Sequence, residues 1–331
     1  MKLRPIQKDD YIVHKIPHNY NKNADCPKFK DFLEKSVPDP KEREKLQEYV
    51  GYGLMKWTKK HEKALLLLGP SNTGKTVFLR TIEELFGEEA IANFSLQEIC
   101  DEKYNKAELK DKYVNIRHDL SDKDVQDVQF FKEIVSGNSI KAREIYESPI
   151  KFRPMAKLMF SANHFPTPQK DKVGNEYLNR WLVAKFPYSF PEKEQDKNLK
   201  QKLTTEDELE GILKWAVEGA KRLQKKGRFT NDRNPEEKRT CLYSGGNSIN
   251  QFIREKIEFR YNADDKMKDF REFSYDIYQE YKKYCDRNNL EEHGQRALVE
   301  ELKNINCVRK YKPMKDGKRR RGFKGLRLKD N

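Results

Sequence analysis

Long apolar runs are missing from this chain. The longest, Ala64 to Leu68, is five residues, against the roughly 20 that a membrane-spanning helix requires. No secretory apolar stretch opens the N-terminus, so a soluble cytoplasmic protein with no membrane partner is expected. Cysteine is sparse as well. Cys26, Cys100, Cys241, Cys285 and Cys307 form no CxxC pair and have no histidine at ligand spacing. This argues against a disulfide framework or a zinc site and fits a reducing compartment. Apolar residues make up only 36% of the chain and charged ones 37%, yet 18 Phe, 16 Tyr and 3 Trp are too many large side chains for a disordered polymer.

Acidic residues are also in deficit. Lys plus Arg number 68 against 54 Asp plus Glu, a net charge of +14 over 331 residues. Such a balance suits a polyanionic partner, although a lysine-rich and glutamate-rich surface serves ion pairing equally well.

The length allows more than one domain. Helical spacing of Phe29, Phe32 and Leu33, then of Leu46, Tyr49, Val50, Tyr52 and Leu54, predicts a small helical domain over residues 1–57. Residues 58–190 alternate short apolar segments with helical patterns: Lys63–Leu68, Tyr113–Ile116, Lys157–Ser161 and Trp181–Phe186 read as strands, and Val77–Phe86 as a helix. That alternation predicts an α/β fold with a parallel sheet. Residues 191–230 form a helical extension, 231–247 a linker rich in Gly, Asn, Arg and Ser, and 248–331 a separate domain. In that last domain, helices near 248–260, 268–287 and 294–304 precede a hairpin turning at Asp316-Gly317, the order of a winged helix-turn-helix.

One motif stands out for both sequence and placement. Gly69-Pro70-Ser71-Asn72-Thr73-Gly74-Lys75-Thr76 matches G-x-x-x-x-G-K-[ST] and lies between a strand and a helix. Such a loop wraps phosphates with backbone N–H groups, sends its lysine to the β and γ phosphates and offers its threonine hydroxyl to Mg²⁺. ATP and Mg²⁺ are therefore the expected cofactors. The chemistry also needs a carboxylate on a neighbouring strand. Asp119, after Val114-Asn-Ile116, is the candidate and shares the metal role with Thr76; Asp122 is the fallback, and a plain surface aspartate the alternative.

Asn163 ends an apolar strand in an amide and is placed either to sense the γ phosphate or simply to form a turn. Arg180 opens the next strand, as an arginine finger on a neighbouring subunit's nucleotide or as an ordinary ion-paired arginine. Between the second and third strands, residues 136–153 read as a basic and aromatic hairpin carrying Lys141, Arg143, Tyr146 and Lys151, suited to a DNA backbone and stacked bases or else merely solvated. From residue 315 to the end there are eight Lys or Arg against two acids, concentrated in Lys318, Arg319, Arg320 and Arg321. This is a phosphate-contacting wing or a solvated tail.

The order GPSNTGKT, VNIRHDL, basic hairpin, KLMFSANHFP and NRW resembles the superfamily 3 helicases, and most closely the D5-like and P4-type primase-helicases of phages, plasmids and large DNA viruses. HNYNKNADCPKFKDFLE and LQEYVGYGL look like the helical domain that precedes the motor in that family. The resemblance implies an AAA+-like P-loop NTPase core in a hexameric ring, driving 3′ to 5′ translocation on single-stranded DNA. It makes Lys75 and Thr76 the Walker A pair, Asp119 the Walker B acid, Asn163 the sensor, Arg180 the finger and residues 141–151 the channel hairpin. It also implies an upstream primase or primase-polymerase domain, with the chain a fragment of a longer protein. Two positions depart from the family pattern: Arg117 and His118 break the apolar run before Asp119, and Ile145 stands where relatives often carry lysine. A weakly hydrolysing oligomeric DNA clamp or loader for an attached primase-polymerase, and a nucleotide kinase or other small-molecule P-loop enzyme, are the rival readings.

Overall fold

A strand with no polar face is stable only where both faces are covered, and Ala64–Leu68 is such a strand. In a computed structural model of the chain it lies inside a five-stranded parallel sheet. The structure describes residues 4, 7, 9, 12–101, 105–120, 128–142, 148, 150–163, 165–166, 174–244, 248–259, 270–288, 290, 292–303, 305, 308–312, 314–315, 318–319 and 321–329. The chain forms two compact units, Met1–Leu242 and Tyr243–Asn331.

The first unit opens with helices α1 (Pro27–Ser36) and α2 (Pro40–Leu54), then β1 (Ala64–Leu68), α3 (Lys75–Phe86), β2 (Ile91–Ala92), α4 (Leu96–Asp101) and β3 (Val114–Arg117). Next come α5 (Val128–Ser136), β4 (Ile140–Ala142), β5 (Ile150–Phe152), β6 (Lys157–Ala162), α6 (Asn175–Asn179) and β7 (Trp181–Lys185). The unit finishes with α7 (Leu199–Leu203), α8 (Glu206–Lys226) and α9 (Pro235–Ser244). The sheet order is β2-β3-β6-β1-β7, parallel throughout. Of its five strands, β2 is only two residues long, too short to leave a pattern in the sequence.

Side chains alternate across the sheet as strand geometry demands. Leu65, Leu67, Met159, Leu182 and Ala184 enter one core with Phe29, Tyr49, Phe78 and Ala216. Ala64, Leu66, Phe160, Trp181 and Val183 enter the other with Leu96, Phe131 and Tyr177. The result is three layers, with α1, α2, α3 and α8 on one face and α4, α5 and α6 on the other. Residues 1–57 and 191–230, separate in the sequence reading, thus share one core. Contact between α2 and α8 is at backbone level: a Cβ on Gly51 would stand 2.3 Å from the Ala216 carbonyl oxygen, and one on Gly219 would stand 2.2 Å from that of Gln47.

The expected linker, 231–247, carries α9 instead. Its start is a capping box: Asn234 accepts the Glu237 N–H at 2.9 Å while the Glu237 carboxylate accepts the Asn234 N–H at 2.8 Å. Pro235 fills the first helical position.

The second unit contains α10 (Ser248–Lys256), β8 (Ile257–Phe259), β9 (Arg271–Phe273), α11 (Ser274–Asn288), α12 (Gln295–Lys303), β10 (Arg309–Tyr311), β11 (Met314–Lys315), β12 (Lys318–Arg319), β13 (Gly322–Lys324) and β14 (Leu326–Leu328). The helix expected over 268–287 begins only at Ser274, because residues 271–273 pair with β13 as an edge strand. Likewise 257–259 leave the first helix to pair with β14. Ile249, Phe252, Ile277, Tyr281, Leu298, Leu302 and Phe323 form its core. Strands β10 and β13 are antiparallel, and β11 and β12 pair between them; the turn expected at 316–317 lies outside the described residues.

Candidate functional site

Strand β1 ends at Leu68, and the next six residues turn back to start α3 at Lys75. The turn needs unusual backbone. Asn72 adopts φ 61° and Gly74 φ 93°, the left-handed region that glycine enters without strain. The peptide N–H groups of Ser71, Asn72 and Gly74 donate no hydrogen bond among the described residues, and they lie just before or at the N-cap of α3. The loop is held from behind: Ser189 Oγ donates to the Ser71 carbonyl at 2.7 Å, and the Phe190 N–H donates to the Asn72 carbonyl at 2.9 Å.

Lys75 is 4% exposed. Its Nζ donates to the Gly69 carbonyl at 2.6 Å and to that of Pro70, and reaches Asn163 Oδ1 at 3.2 Å. Burial pulls this amine below the usual lysine value, while the Asp119 carboxylate opposes the shift. The Asn163 amide also reaches Ser71 Oγ at 3.5 Å, so it touches both ends of the loop. Strand β6 carries Asn163 beside β1, and β3 carries Asp119 on the far side of β6. Lys75, Asn163 and Asp119 therefore gather at the C-terminal edge of the sheet, where open parallel sheets place their ligands. Thr76 is the second residue of α3 and partly exposed.

Asp119 stands in a left-handed conformation, φ 47°. A residue not singled out from the sequence holds it there. Ser161 Oγ accepts the Asp119 N–H at 3.0 Å and the Ser161 carbonyl accepts the Leu120 N–H at 2.8 Å. The signal was present in KLMFSAN: a serine two residues before the asparagine shares its strand face. Arg117 and His118 are turned to other work, Arg117 Nη1 to Asn93 Oδ1 at 3.1 Å and His118 Nε2 to Glu83 Oε1 at 2.9 Å.

Arg180 is not brought to this edge. Its carbonyl accepts the Ala64 N–H at 2.7 Å, so it sits at the N-terminal end of β1, five strand residues or about 16 Å from Gly69. Its guanidinium pairs with Glu62 at 2.9 Å and lines a polar cleft of about 390 Å³ with Lys132, Glu133 and Glu176. Strands β4 and β5 form the expected hairpin, with exposed Lys141 and Lys151 directly opposite each other. Arg143, Tyr146, Ile145 and the fallback Asp122 lie outside the described residues, as does Arg320. Lys318 and Arg319 are described only as the backbone of β12, and Arg321 is exposed. No helix among the described residues is long and apolar enough to cross a membrane.

Comparison with known proteins gives two family matches on separate stretches. A family of unknown function (DUF5906) matches residues 67–180, the stretch from the loop to Arg180. A family described as D5 N terminal like matches residues 1–38, which includes HNYNKNADCPKFKDFLE. No curated protein matches. Similar solved structures include the apo structure of the NrS-1 C terminal region (305–718), 11% identical with TM-score 0.49 over 95% of this chain and 78% of that one. Another is the A form apo structure of the same region, 12% identical with TM-score 0.46 over 94% and 76% of the two chains.

Proposed function

We propose that this chain is the motor part of a D5-like primase-helicase, an ATP-dependent superfamily 3 DNA helicase moving 3′ to 5′ on single-stranded DNA in phage or plasmid replication. On this reading its core is an AAA+-like P-loop NTPase and its second unit a winged-helix-like domain. The observation that carries the reading is the meeting of Lys75 with Asn163 at the mouth of a loop whose Ser71, Asn72 and Gly74 N–H groups have no acceptor among the described residues. An anion relieves both deficits, because it replaces the Gly69 and Pro70 carbonyls as the partner of Lys75 and accepts from the free N–H groups.

The residues present fit Mg-ATP. Residues 69–76 would cradle its phosphates, with Thr76 and Asp119 holding the Mg²⁺ that neutralises developing charge. Asn163 is set to register whether Lys75 faces a phosphate or carbonyls. Arg180, at the opposite edge of its own sheet, would reach only the site of a neighbouring copy, which favours a homo-oligomeric ring, hexameric in this proposal. Lys141 and Lys151 share a face of one hairpin, and like charges opposed there are unfavourable until a polyanion lies between them. In the second unit, Lys318 and Arg319 form β12 and Arg321 is exposed beyond it, where a wing would meet a DNA backbone.

The test is steady-state ATP hydrolysis with and without single-stranded DNA, for the wild type and for Lys75→Ala and Asp119→Ala. DNA-stimulated turnover lost in both variants supports the motor. ATP binding without turnover, indifferent to DNA and to Asp119→Ala, transfers support to the second reading, an oligomeric clamp or loader for an attached primase-polymerase. That reading draws on Arg117 and His118, which are bonded to Asn93 and Glu83 instead of extending an apolar strand up to the acid.

A further inference from the structure

The three-stranded sheet of the second unit carries side chains that neither the basic segment Lys318 to Arg321 nor the motor uses. Strands β10, β13 and β9 lie side by side, and their register places Arg309 opposite Lys324 and Lys324 opposite Arg271. The adjacent row on the same face is Tyr311, Gly322 and Phe273. Phe323, between these rows along β13, points the other way into the core. One face of this small sheet is therefore a rung of three cations next to a rung of two aromatics with a glycine between them.

Structural needs explain part of this. No side chain fits at position 322, where a Cβ would stand 2.6 Å from the Glu272 carbonyl oxygen, and an aromatic ring opposite a strand glycine covers exposed backbone. Lys324 Nζ stands 4.6 Å from the Tyr311 ring centroid and the Arg271 guanidinium carbon 5.1 Å, with Arg271 Nη1 3.3 Å from the Tyr311 hydroxyl. Covering a glycine needs a ring and no cation. Three cations in direct cross-strand register repel one another. Among the described residues none of the three lies within ion-pair reach of a carboxylate, and Arg271 Nε is buried without a hydrogen-bond partner.

We propose that the β10-β13-β9 face, through Arg309, Lys324, Arg271 and Tyr311, binds a single-stranded nucleic acid, the cation rung taking backbone phosphates and the Tyr311 ring stacking a base. Charge complementarity selects a polyanion, and a flat ring beside the cations selects one with unpaired bases. A duplex buries its base faces and leaves the ring without a partner. The site is in the second unit and needs no nucleotide, so it stands or falls apart from the ATPase reading.

Anisotropy of a fluorescent oligothymidylate, titrated with the nucleotide-free full chain over a range of salt, tests it. Replacing Arg309→Gln and Lys324→Gln together is expected to weaken binding at least about tenfold and to flatten the logarithmic salt dependence by about one unit. Tyr311→Leu is expected to weaken it by about tenfold while Tyr311→Phe binds like the wild type. The proposal is overturned if the paired glutamine variant loses no more than Lys282→Gln with Lys283→Gln, or if Tyr311→Leu binds as tightly as the wild type. Should Tyr311→Leu fail to fold by circular dichroism, photocrosslinking of iodouracil-containing oligomer to the wild type decides. Adducts at Tyr311 or Phe273 support the site, and adducts confined to other peptides overturn it.

Discussion

The two ends of the parallel sheet treat buried lysines in opposite ways. At the C-terminal edge Lys75 donates to two loop carbonyls, but its neighbours Ser71, Asn72, Asn163 and Asp119 are exposed. At the N-terminal edge Lys157, 0% exposed, donates to the Met55 carbonyl at 2.6 Å, and Lys59 donates to those of Ala156 and Ile134 at 2.6 and 3.2 Å. Burial pulls Lys59 down to about 7 and Lys157 to about 6. A carbonyl-bound lysine is thus structural where it is sealed and exchangeable where an anion can enter.

The strongest break of this contrast is chemical. Lys75→Ala is expected to lower ATP turnover by at least about a hundredfold, the scale of losing one preorganised charge partner, with little change in urea midpoint; unaltered turnover would place Lys75 among the sealed lysines. Mixing Lys75→Ala with Arg180→Ala chains should restore part of the activity that each lacks alone, if Arg180 serves a neighbouring copy. A mixture as inactive as its parts denies that role. Ser161→Ala frees the Asp119 backbone while sparing the carboxylate, so about a tenfold fall in turnover is expected, with nucleotide affinity nearly unchanged. A matching loss of affinity would mean that the loop itself was disturbed.

The smallest effect concerns the sealed edge. The folded-state values of Lys59 and Lys157 lie below their unfolded value of 10.5, so above about pH 7 the unfolded chain binds more protons and stability rises with pH. Each lysine contributes about 1 kcal/mol per pH unit toward pH 9. Denaturant titrations at pH 7 and 9 should show that slope in the wild type and a flatter one in Lys157→Met. Equal slopes would mean that the amine stays charged in the fold.

The sequence made the loop, the hairpin β4–β5 and the strand ends at Asp119 and Asn163 legible, because each is a local pattern. What it concealed depends on which elements touch. In α2, Glu42, Lys45 and Glu48 read as a polar face, yet all are buried, with Lys45 donating to the Val183 carbonyl and to Glu42, and Glu48 accepting from Arg222 Nε and Thr230 Oγ1. Nothing in a helical period distinguishes a solvated charge from one paired across the core. The capping box at Asn234 was readable, but its composition matched a linker. Ser161 escaped because its partner belongs to another strand, and strand order is not written in any single segment.

The close approach of α2 and α8 also bears on how the chain folds. Gln47 Nε2 meets the Trp215 carbonyl 168 positions away in the sequence. Closing a loop of that size costs about 4–5 kcal/mol of chain entropy, and such distant pairings slow folding. During synthesis the glycine-lined seam of α2 leaves the ribosome long before its partner exists. The first two hundred residues therefore wait with an open apolar groove, and the core on that side of the sheet closes only when α8 arrives.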